Sequence, residues 1–235
     1  MNVYIIRIPK IQTEKFLINS LFAVKSGLTP VVVDAVVPDT IDSSMMEFKY
    51  FNRSNFRWNW PVSEDQNGLD LQTGLYKFAY RAADQKKKVA CSLSHMLQWD
   101  DCVTKDEPRI VCEADARFIR RPDDDLETFK GHKVIGLNDP RGATRRSYQY
   151  HSQMLGGIQP VPRVVEAGED PVPQGLAGNS AYYIEPAGAK ELLDRVRDYG
   201  MFPNDAYMCR ELFPWLRVIH PYYTRVSGDE STTTT

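Results

Sequence analysis

The N-terminal segment predicts a strand, a helix and a second strand in quick succession, and no other feature of the sequence constrains the fold as much. Residues 2–8 are rich in Val, Tyr and Ile, as buried strands are. Over residues 13–26 apolar side chains recur at helical spacing, and Gly27 can end that helix. Residues 30–33 are again rich in Val. This order predicts a parallel strand–helix–strand unit and therefore an α/β protein.

The rest of the chain continues to alternate. Its 235 residues suffice for one domain with a sizeable core, and no linker divides them, so we predict a single domain over residues 1–235. Residues 139–174 show little periodicity and predict an active-site excursion or lid, whereas residues 230–235 predict a frayed tail. The remaining predicted elements are helices over residues 75–83, 92–103 and 187–199, a short helix near Pro203, and strands over residues 109–112, 133–137, 181–184 and 216–219.

Composition argues against several classes of protein. The formal net charge of −2 provides no global basic field for nucleic acid or membrane. No apolar run approaches the roughly 20 residues of a membrane span, and the apolar start lacks the features of a signal peptide. The four cysteines form no C-x-x-C pair, which argues against a structural zinc site. We therefore expect a cytoplasmic protein with reduced thiols, in the host cytoplasm if it is viral.

Two acidic residues, Glu113 and Asp115, follow the predicted strand at 109–112. Ligands bind at the carboxyl ends of strands in open α/β sheets, so both carboxylates are expected at that edge. Carboxylates this close repel each other, and a hard divalent cation relieves the repulsion by accepting their oxygens. A sugar nucleotide would supply further ligands through its diphosphate. The same spacing is also typical of two solvated acids in a turn, and spacing alone leaves both interpretations open.

A serine and a histidine, Ser94 and His95, stand near the predicted start of the helix at 92–103. They could bind phosphate through the helix N-terminus. Alternatively, Ser92 caps the helix and His95 is a core residue. The absence of a G-x-S-x-G elbow argues against a serine hydrolase.

Three later residues are further candidates. Asn179 precedes the predicted strand at 181–184, and this segment also has a purely architectural interpretation. Asp205 lies at a predicted helix start, where it is either a cap or a general base for an acceptor hydroxyl. His220 ends a predicted strand, where it is either structural or a ligand of a metal or a diphosphate.

The order of these segments resembles glycosyltransferase family 25, the lipooligosaccharide and collagen galactosyltransferase-like family. The resemblance does not cover residues 48–60 or 139–174. Four parts of the chain carry it: residues 3–6 as an opening strand, residues 90–99 (A-C-S-L-S-H-M-L-Q-W) as a cysteine-to-serine-histidine motif, residues 110–116 (I-V-C-E-A-D-A) as an acidic metal motif, and residues 178–193 with Asn204 and Asp205 as a late tyrosine, helix and aspartate pattern.

The resemblance implies a GT-A-type fold, a twisted and mostly parallel sheet flanked by helices. It also implies a nucleotide-sugar donor, with a UDP-sugar expected, Mn²⁺ or Mg²⁺ as cofactor, and inversion at the sugar carbon. Asp205 would then take the acceptor proton. Asp115 would bind the metal directly, and Glu113 would assist it or bind the donor ribose. The other implied contacts are His220 to the metal, and Ser94, His95 and Asn179 in the donor pocket.

The chain departs from the family pattern at two places. The family has three consecutive acids in its metal motif, whereas Ala114 stands in the middle here. The outer carboxylates remain, so we expect metal binding to persist. The family also has Gly-Glu-like residues before its cysteine, where this chain has Lys87-Lys88-Val89-Ala90, and this difference could alter the donor contacts.

The acceptor has two candidate classes, a glycan such as lipooligosaccharide or DNA with a hydroxymethylated base. Residues 48–60 interleave aromatics with Arg and Asn, and Lys87, Lys88, Arg145 and Arg146 are basic, so they could stack on bases and contact phosphates. A strand pair that packs Phe and Trp into the core also explains the aromatic stretch, and we favour that interpretation. A catalytically inactive binding module is a third possibility, and a hydrolase that uses Cys91 or His95 is a distant fourth.

Overall fold

The computed structural model describes residues 1–80, 84–122, 126–141, 147–164, 172–176 and 178–226. Strands and helices alternate along most of this length. Its strands are β1 (Asn2–Arg7), β2 (Thr29–Asp34), β3 (Gly68–Asp70), β4 (Leu75–Lys77), β5 (Arg109–Glu113), β6 (Ala116–Phe118), β7 (Val134–Gly136), β8 (Gly157–Pro160), β9 (Ala181–Ile184), β10 (Arg217–His220) and β11 (Thr224–Val226). Its helices are α1 (Thr13–Lys25), α2 (Ile41–Ser44), α3 (Gln85–Lys105), α4 (Leu126–Phe129), α5 (Ser147–Ser152), α6 (Pro186–Tyr199) and α7 (Asn204–Tyr207).

A central sheet organises the protein. Within the described ranges it contains seven strands in the order β2-β1-β5-β9-β7-β10-β8. Strands β1, β2, β5, β7 and β10 run in one direction, because β1 pairs in parallel with β2 and β5, and β7 with β10. Strands β9 and β8 run the opposite way. The sheet is therefore mostly parallel, and the predicted β1–α1–β2 unit is confirmed.

Alternate side chains of the strands enter two apolar layers, one on each face of the sheet. On one face Val111 of β5 and Tyr182 of β9 pack with helices α3 and α6. On the other face Cys112 and Tyr183 of the same strands pack with Ala23 of α1 and with α4. Successive side chains of a strand point to opposite faces of the sheet, so helices that cover both faces bury the side chains on both sides. The predicted α/β architecture, a mostly parallel sheet flanked by helices, is confirmed.

Helix α3 begins earlier than predicted, at Gln85 and not at Ser92. The Asp84 side chain caps it by accepting a hydrogen bond from the backbone N–H of Lys86 at 2.8 Å. Lysine is a good helix former, so the basic run at 86–88 continues the helix instead of preceding it. Ser92 is not a cap, because its buried hydroxyl donates to the Phe202 carbonyl at 3.2 Å. Phosphate binding by a helix N-terminus at Ser94 and His95 is therefore wrong as well.

Two other predicted segments also differ. Residues 75–77 form strand β4, paired with β3, and residues 78–80 belong to no helix or strand, so the predicted helix at 75–83 is wrong up to residue 80. Residues 81–83 lie outside the described residues. Residues 139–174 contain helix α5 and strand β8, and β8 pairs with β10 at the sheet edge. Strand β4 forms by hairpin pairing with the nearby β3, whereas β8 forms by pairing with the distant β10, and the periodicity of a segment by itself indicates neither pairing.

No helix in the described ranges is long and apolar enough to cross a bilayer. All four cysteines are free thiols, as predicted. The tail at 230–235 lies outside the part of the chain that the structure describes, and so does the basic pair at Arg145 and Arg146.

Candidate active site

The edge of the sheet at which β1, β2, β5, β7 and β10 end holds most of the candidate residues; we call it the carboxyl edge. The chain passes from β1 outward to β2 and later returns to place β5 on the other side of β1. The order of strands therefore reverses between β1 and β5. In open α/β sheets the crevice at such a reversal is the usual ligand site. Glu113 is the last residue of β5 and stands beside it.

The backbone of Glu113 is held from two sides. Its N–H donates to the Ser180 carbonyl at 2.7 Å, and its own carbonyl accepts from the Asn19 amide of α1 at 3.3 Å. The side chain is 37% exposed, so it is available to a ligand. Strand β5 thus fixes the position of this carboxylate while leaving it accessible.

The next two residues point in different directions. Ala114 is 2% exposed and belongs to the apolar layer that contains Cys112 and Ala116. Asp115 lies in the turn between β5 and β6 and is only partly buried. An acid at position 114 would be buried in that layer at considerable cost, whereas Glu113 and Asp115 on either side of it are partly exposed. The alanine in the acidic motif therefore removes no side chain from the accessible site.

Helix α3 carries Lys88, Cys91 and His95 at the spacing of one helical face, and Cys91 and His95 contact Glu113. His95 Nε2 lies 3.5 Å from Glu113 Oε1, and Cys91 Sγ lies 4.0 Å from the same oxygen. One ligand atom from each of Cys91, His95 and Glu113 falls within 4.8 Å of the others, so the three could hold a metal ion. Burial raises the pKa of the Cys91 thiol well above its usual range, and the charge of Glu113 adds to this effect.

Ser94 connects helix α3 to the segment that follows β2. Its side chain is buried, its hydroxyl donates to the Ala90 carbonyl at 2.9 Å, and its oxygen accepts from the backbone N–H of Val36 at 2.9 Å. Val36 follows β2 at the carboxyl edge. The hydroxyl thereby ties helix α3 to the segment that leaves β2.

Asp205 approaches the same region from the short helix α7. The residue is exposed, and its Oδ1 accepts from the Ala206 N–H at 3.0 Å. The surrounding protein still desolvates the carboxylate enough to raise its pKa. The charge of Glu113 raises this pKa further, whereas the positive charge of Lys88 lowers it. The structure therefore places Asp205 within electrostatic reach of Glu113 and Lys88.

Asn179 lies beside a small cavity between the ends of β7, β9 and β10. The residue is 7% exposed, and its Nδ2 donates to Met208 Sδ at 3.2 Å. The cavity is barely large enough to hold a water molecule. Its other polar lining residues are Asn138, Tyr150 and Tyr222.

His220 is set apart from these residues. It ends β10, and β9 and β7 separate that strand from β5. At about 4.8 Å per strand, roughly 14 Å separate the ends of the two strands. The His220 ring packs instead against His151 and Tyr222, at centroid distances of 5.6 and 5.1 Å. The structure thus brings Glu113 together with His95, and it does not bring His220 to them.

Two residues of the site, Tyr80 and Tyr182, were given no site role from the sequence, and Lys88 was considered only as part of a basic run. The Lys88 ammonium lies 5.3 Å from the centre of the Tyr80 ring. The i, i+3, i+7 spacing of Lys88, Cys91 and His95 would have placed Lys88 on the site face if the helix start had been assigned correctly. Nothing local in the sequence indicated Tyr182, because it reaches His95 only through the pairing of β9 with β5.

The aromatic stretch at 48–60 packs against the apolar layer around α3. Phe51 and Trp60 are 6% and 8% exposed. No strand pair forms in this stretch, which consists of turns and short helical turns. Three further aromatic side chains, Phe48, Phe56 and Trp58, are partly buried against the same layer. Packing in the core therefore accounts for most of these rings.

A comparison with known protein families identifies the family of this chain. The model of glycosyltransferase family 25, described as an LPS biosynthesis protein, matches residues 1–156. The matched region includes α3 and β5 with Glu113 and Asp115, and it ends before Asn179, Asp205 and His220. A comparison with curated proteins finds no match. Because the family match spans well over half of the 235 residues, the chain belongs to glycosyltransferase family 25 and is a glycosyltransferase.

Proposed function

We propose that this glycosyltransferase moves a sugar from a UDP-sugar to a hydroxyl of a glycan such as lipooligosaccharide, with Mn²⁺ or Mg²⁺ and with inversion at the sugar carbon. The observation that carries the proposal is the position of Glu113 at the carboxyl end of β5, beside the reversal in strand order, with Asp115 following it. A glycan acceptor agrees with the family description, which names LPS biosynthesis.

The chemistry of the side chains fits a hard cation. Glu113 and Asp115 offer carboxylate oxygens, which Mn²⁺ and Mg²⁺ prefer over nitrogen and sulfur. Asp115 would bind the cation directly, and Glu113 would assist it or contact the donor ribose. When bound, the cation offsets the negative charge that develops on the departing nucleoside diphosphate.

Asp205 is our candidate for the general base. It would accept the proton of the acceptor hydroxyl while that oxygen forms a bond to the sugar carbon and the bond to the diphosphate breaks. A raised pKa suits this role, because a base is most effective when its pKa approaches the working pH. Lys88 stands near enough to influence Asp205, and it could also contact the donor phosphates.

No feature of the described residues favours a DNA acceptor, because most of the rings that could stack on bases are packed into the core. A glycan acceptor therefore remains the proposal. A DNA acceptor would show itself by a steep fall in affinity with increasing salt.

A thermal-shift screen tests the donor and the metal together. UDP-sugars are added with and without Mn²⁺, at concentrations well above the dissociation constant. At a hundredfold excess over that constant the melting temperature should rise by about 5–10 °C. We expect the rise to need Mn²⁺, to be lost in Asp115→Asn, and to be kept in Glu127→Gln, a matched change of an exposed acid on α4.

An activity measurement completes the test. Slow hydrolysis of the stabilising donor with Mn²⁺ would exclude an inactive binding module. If no nucleotide sugar shifts the melt under any metal condition, the proposed donor and metal are wrong. A fully active Asp115→Asn variant would overturn the metal assignment alone.

A further inference from the structure

Three buried side chains link the core of the protein to Glu113. Trp99 Nε1 lies 2.8 Å from the hydroxyl oxygen of Tyr182, and that oxygen lies 2.9 Å from His95 Nδ1. The other ring nitrogen of His95, Nε2, lies 3.5 Å from Glu113 Oε1. Trp99, Tyr182 and His95 are at most 1% exposed. The four side chains therefore form one continuous chain from core to site.

The direction of the hydrogen bonds follows from the donors available. An indole N–H can only donate, so the Tyr182 oxygen accepts from Trp99. Burial raises the pKa of Tyr182 well above its usual range, so the phenol keeps its proton. Among the hydrogen bonds of the described residues, the acceptor left for that proton is Nδ1 of His95. A neutral imidazole carries a single N–H, so the hydrogen of His95 must be on Nε2, where it faces the Glu113 carboxylate.

The opposite tautomer, with the hydrogen on Nδ1, has less favourable contacts at both nitrogens of the ring. With the hydrogen on Nδ1, Tyr182 would accept from both Trp99 and His95, and its own O–H would lack an acceptor among the hydrogen bonds of the described residues. A buried donor without an acceptor is costly, because it has lost its hydrogen bond to water and gained no other. In addition, a lone pair on Nε2 would face the carboxylate of Glu113.

We propose that Trp99 and Tyr182 are positioning residues that hold His95 in the Nε2–H tautomer, so that its ring donates to Glu113 and orients that carboxylate for the donor and the metal. The role of Glu113 in this statement rests on the proposed function, whereas the tautomer does not. One consequence is that Nε2 has no free lone pair, so His95 would support the carboxylate without itself binding the metal.

Strand β9 offers a matched control for Tyr182. The adjacent residue, Tyr183, points to the opposite face of the sheet, and its hydroxyl donates to Glu185 Oε1 at 3.1 Å. Tyr182→Phe and Tyr183→Phe thus each remove one buried, hydrogen-bonded hydroxyl from the same strand, but only the first touches the chain to His95.

The first measurement is the tautomer itself, by nitrogen-15 NMR of the four histidines at about pH 8, where an ordinary histidine is neutral. His95→Gln identifies the His95 signals by their disappearance. We expect Nε2–H in the unmodified protein and in Tyr183→Phe, and a mixture of tautomers in Tyr182→Phe. An Nδ1–H tautomer in the unmodified protein overturns the proposal, with no variant needed. An unchanged Nε2–H tautomer in Tyr182→Phe also overturns it.

The second measurement is kcat/KM for the donor. Removing the hydrogen-bond partner of a metal ligand typically lowers activity by about 10- to 100-fold, and Tyr182 acts one residue further out, through His95. We therefore expect a loss of about tenfold in Tyr182→Phe and less than about a twofold change in Tyr183→Phe. Equal losses in the two variants would mean a purely structural role and overturn the proposal. If the unmodified protein shows the Nε2–H tautomer but accepts no nucleotide sugar, the proposed function fails while the tautomer assignment stands.

Discussion

The carboxylate of Asp100, on helix α3, accepts hydrogen bonds from three consecutive backbone N–H groups. The side chain is 3% exposed. Its Oδ1 accepts from the backbone N–H groups of Tyr50 and Phe51 at 3.0 and 2.7 Å, and its Oδ2 accepts from that of Lys49 at 2.8 Å. These bonds hold the start of the aromatic stretch against the helix that carries the site. Asp100→Ala should therefore lower the free energy of unfolding substantially.

The expected decrease in the free energy of unfolding depends on whether each freed N–H group is left without a partner or binds water. The Phe51 bond is buried, so its N–H would be left without a partner at a cost of about 2 kcal/mol. The Lys49 and Tyr50 bonds are only partly buried, and water can replace them at about 1 kcal/mol each. The sum is about 4 kcal/mol, a large share of the roughly 5–15 kcal/mol that stabilises an ordinary domain. Asp100→Asn keeps one acceptor oxygen and should lose about 1–2 kcal/mol.

Urea unfolding followed by circular dichroism measures these losses. Glu107→Ala, a change of an exposed acid just after the same helix, should stay within about 0.5 kcal/mol of the unmodified protein. A loss below about 1 kcal/mol for Asp100→Ala would refute the reasoning. An Asn variant less stable than the Ala variant would refute it too, because the retained oxygen is expected to help.

Three further predictions concern the site. Lys88→Met removes the positive charge that lowers the pKa of Asp205, so the acidic limb of the pH profile of kcat/KM should move to higher pH; an unmoved limb would exclude Asp205 as the titrating base. Gly175→Ala would drive a Cβ into the Asp205 backbone oxygen, so activity should fall at least tenfold, and unchanged kinetics would contradict this close approach. Ser94→Ala leaves the buried Val36 N–H without its acceptor, so urea unfolding should show a free energy of unfolding lower by about 1–3 kcal/mol; a decrease under about 0.5 kcal/mol would show that this hydrogen bond contributes little.

The prediction of the fold succeeded where a segment carries its own pattern. Helix α6 was predicted with nearly its observed bounds, because a proline stands at its start, Gly200 follows its end, and apolar residues recur at helical spacing between them. Prediction failed at α3, where a lysine run and an aspartate cap extend the helix beyond its apolar pattern. It also failed at β4, which pairs with β3 in a hairpin, and at β8, which pairs with the distant β10.

The prediction of the candidate site likewise succeeded where a local signal was sufficient and failed where it was not. Glu113 and Asp115 could be predicted at the carboxyl edge because they follow a buried strand, and that rule depends only on local sequence. His220 shows the limit of the rule, since it also ends a strand but lies three strands away from β5. The order of strands in a sheet is set by long-range pairing, so no local pattern could separate these cases.

The sequence by itself determined the alternation of strands and helices, the first βαβ unit, and the acids after β5, because periodicity and caps act between neighbours in the chain. Only the tertiary structure decided that β9 runs antiparallel between β5 and β7, which carries Tyr182 to His95 and Trp99. It also decided that position 114 faces the core while the residues on either side of it are partly exposed. These features depend on which distant surfaces bury each other, and that choice is made by the packing of the whole chain.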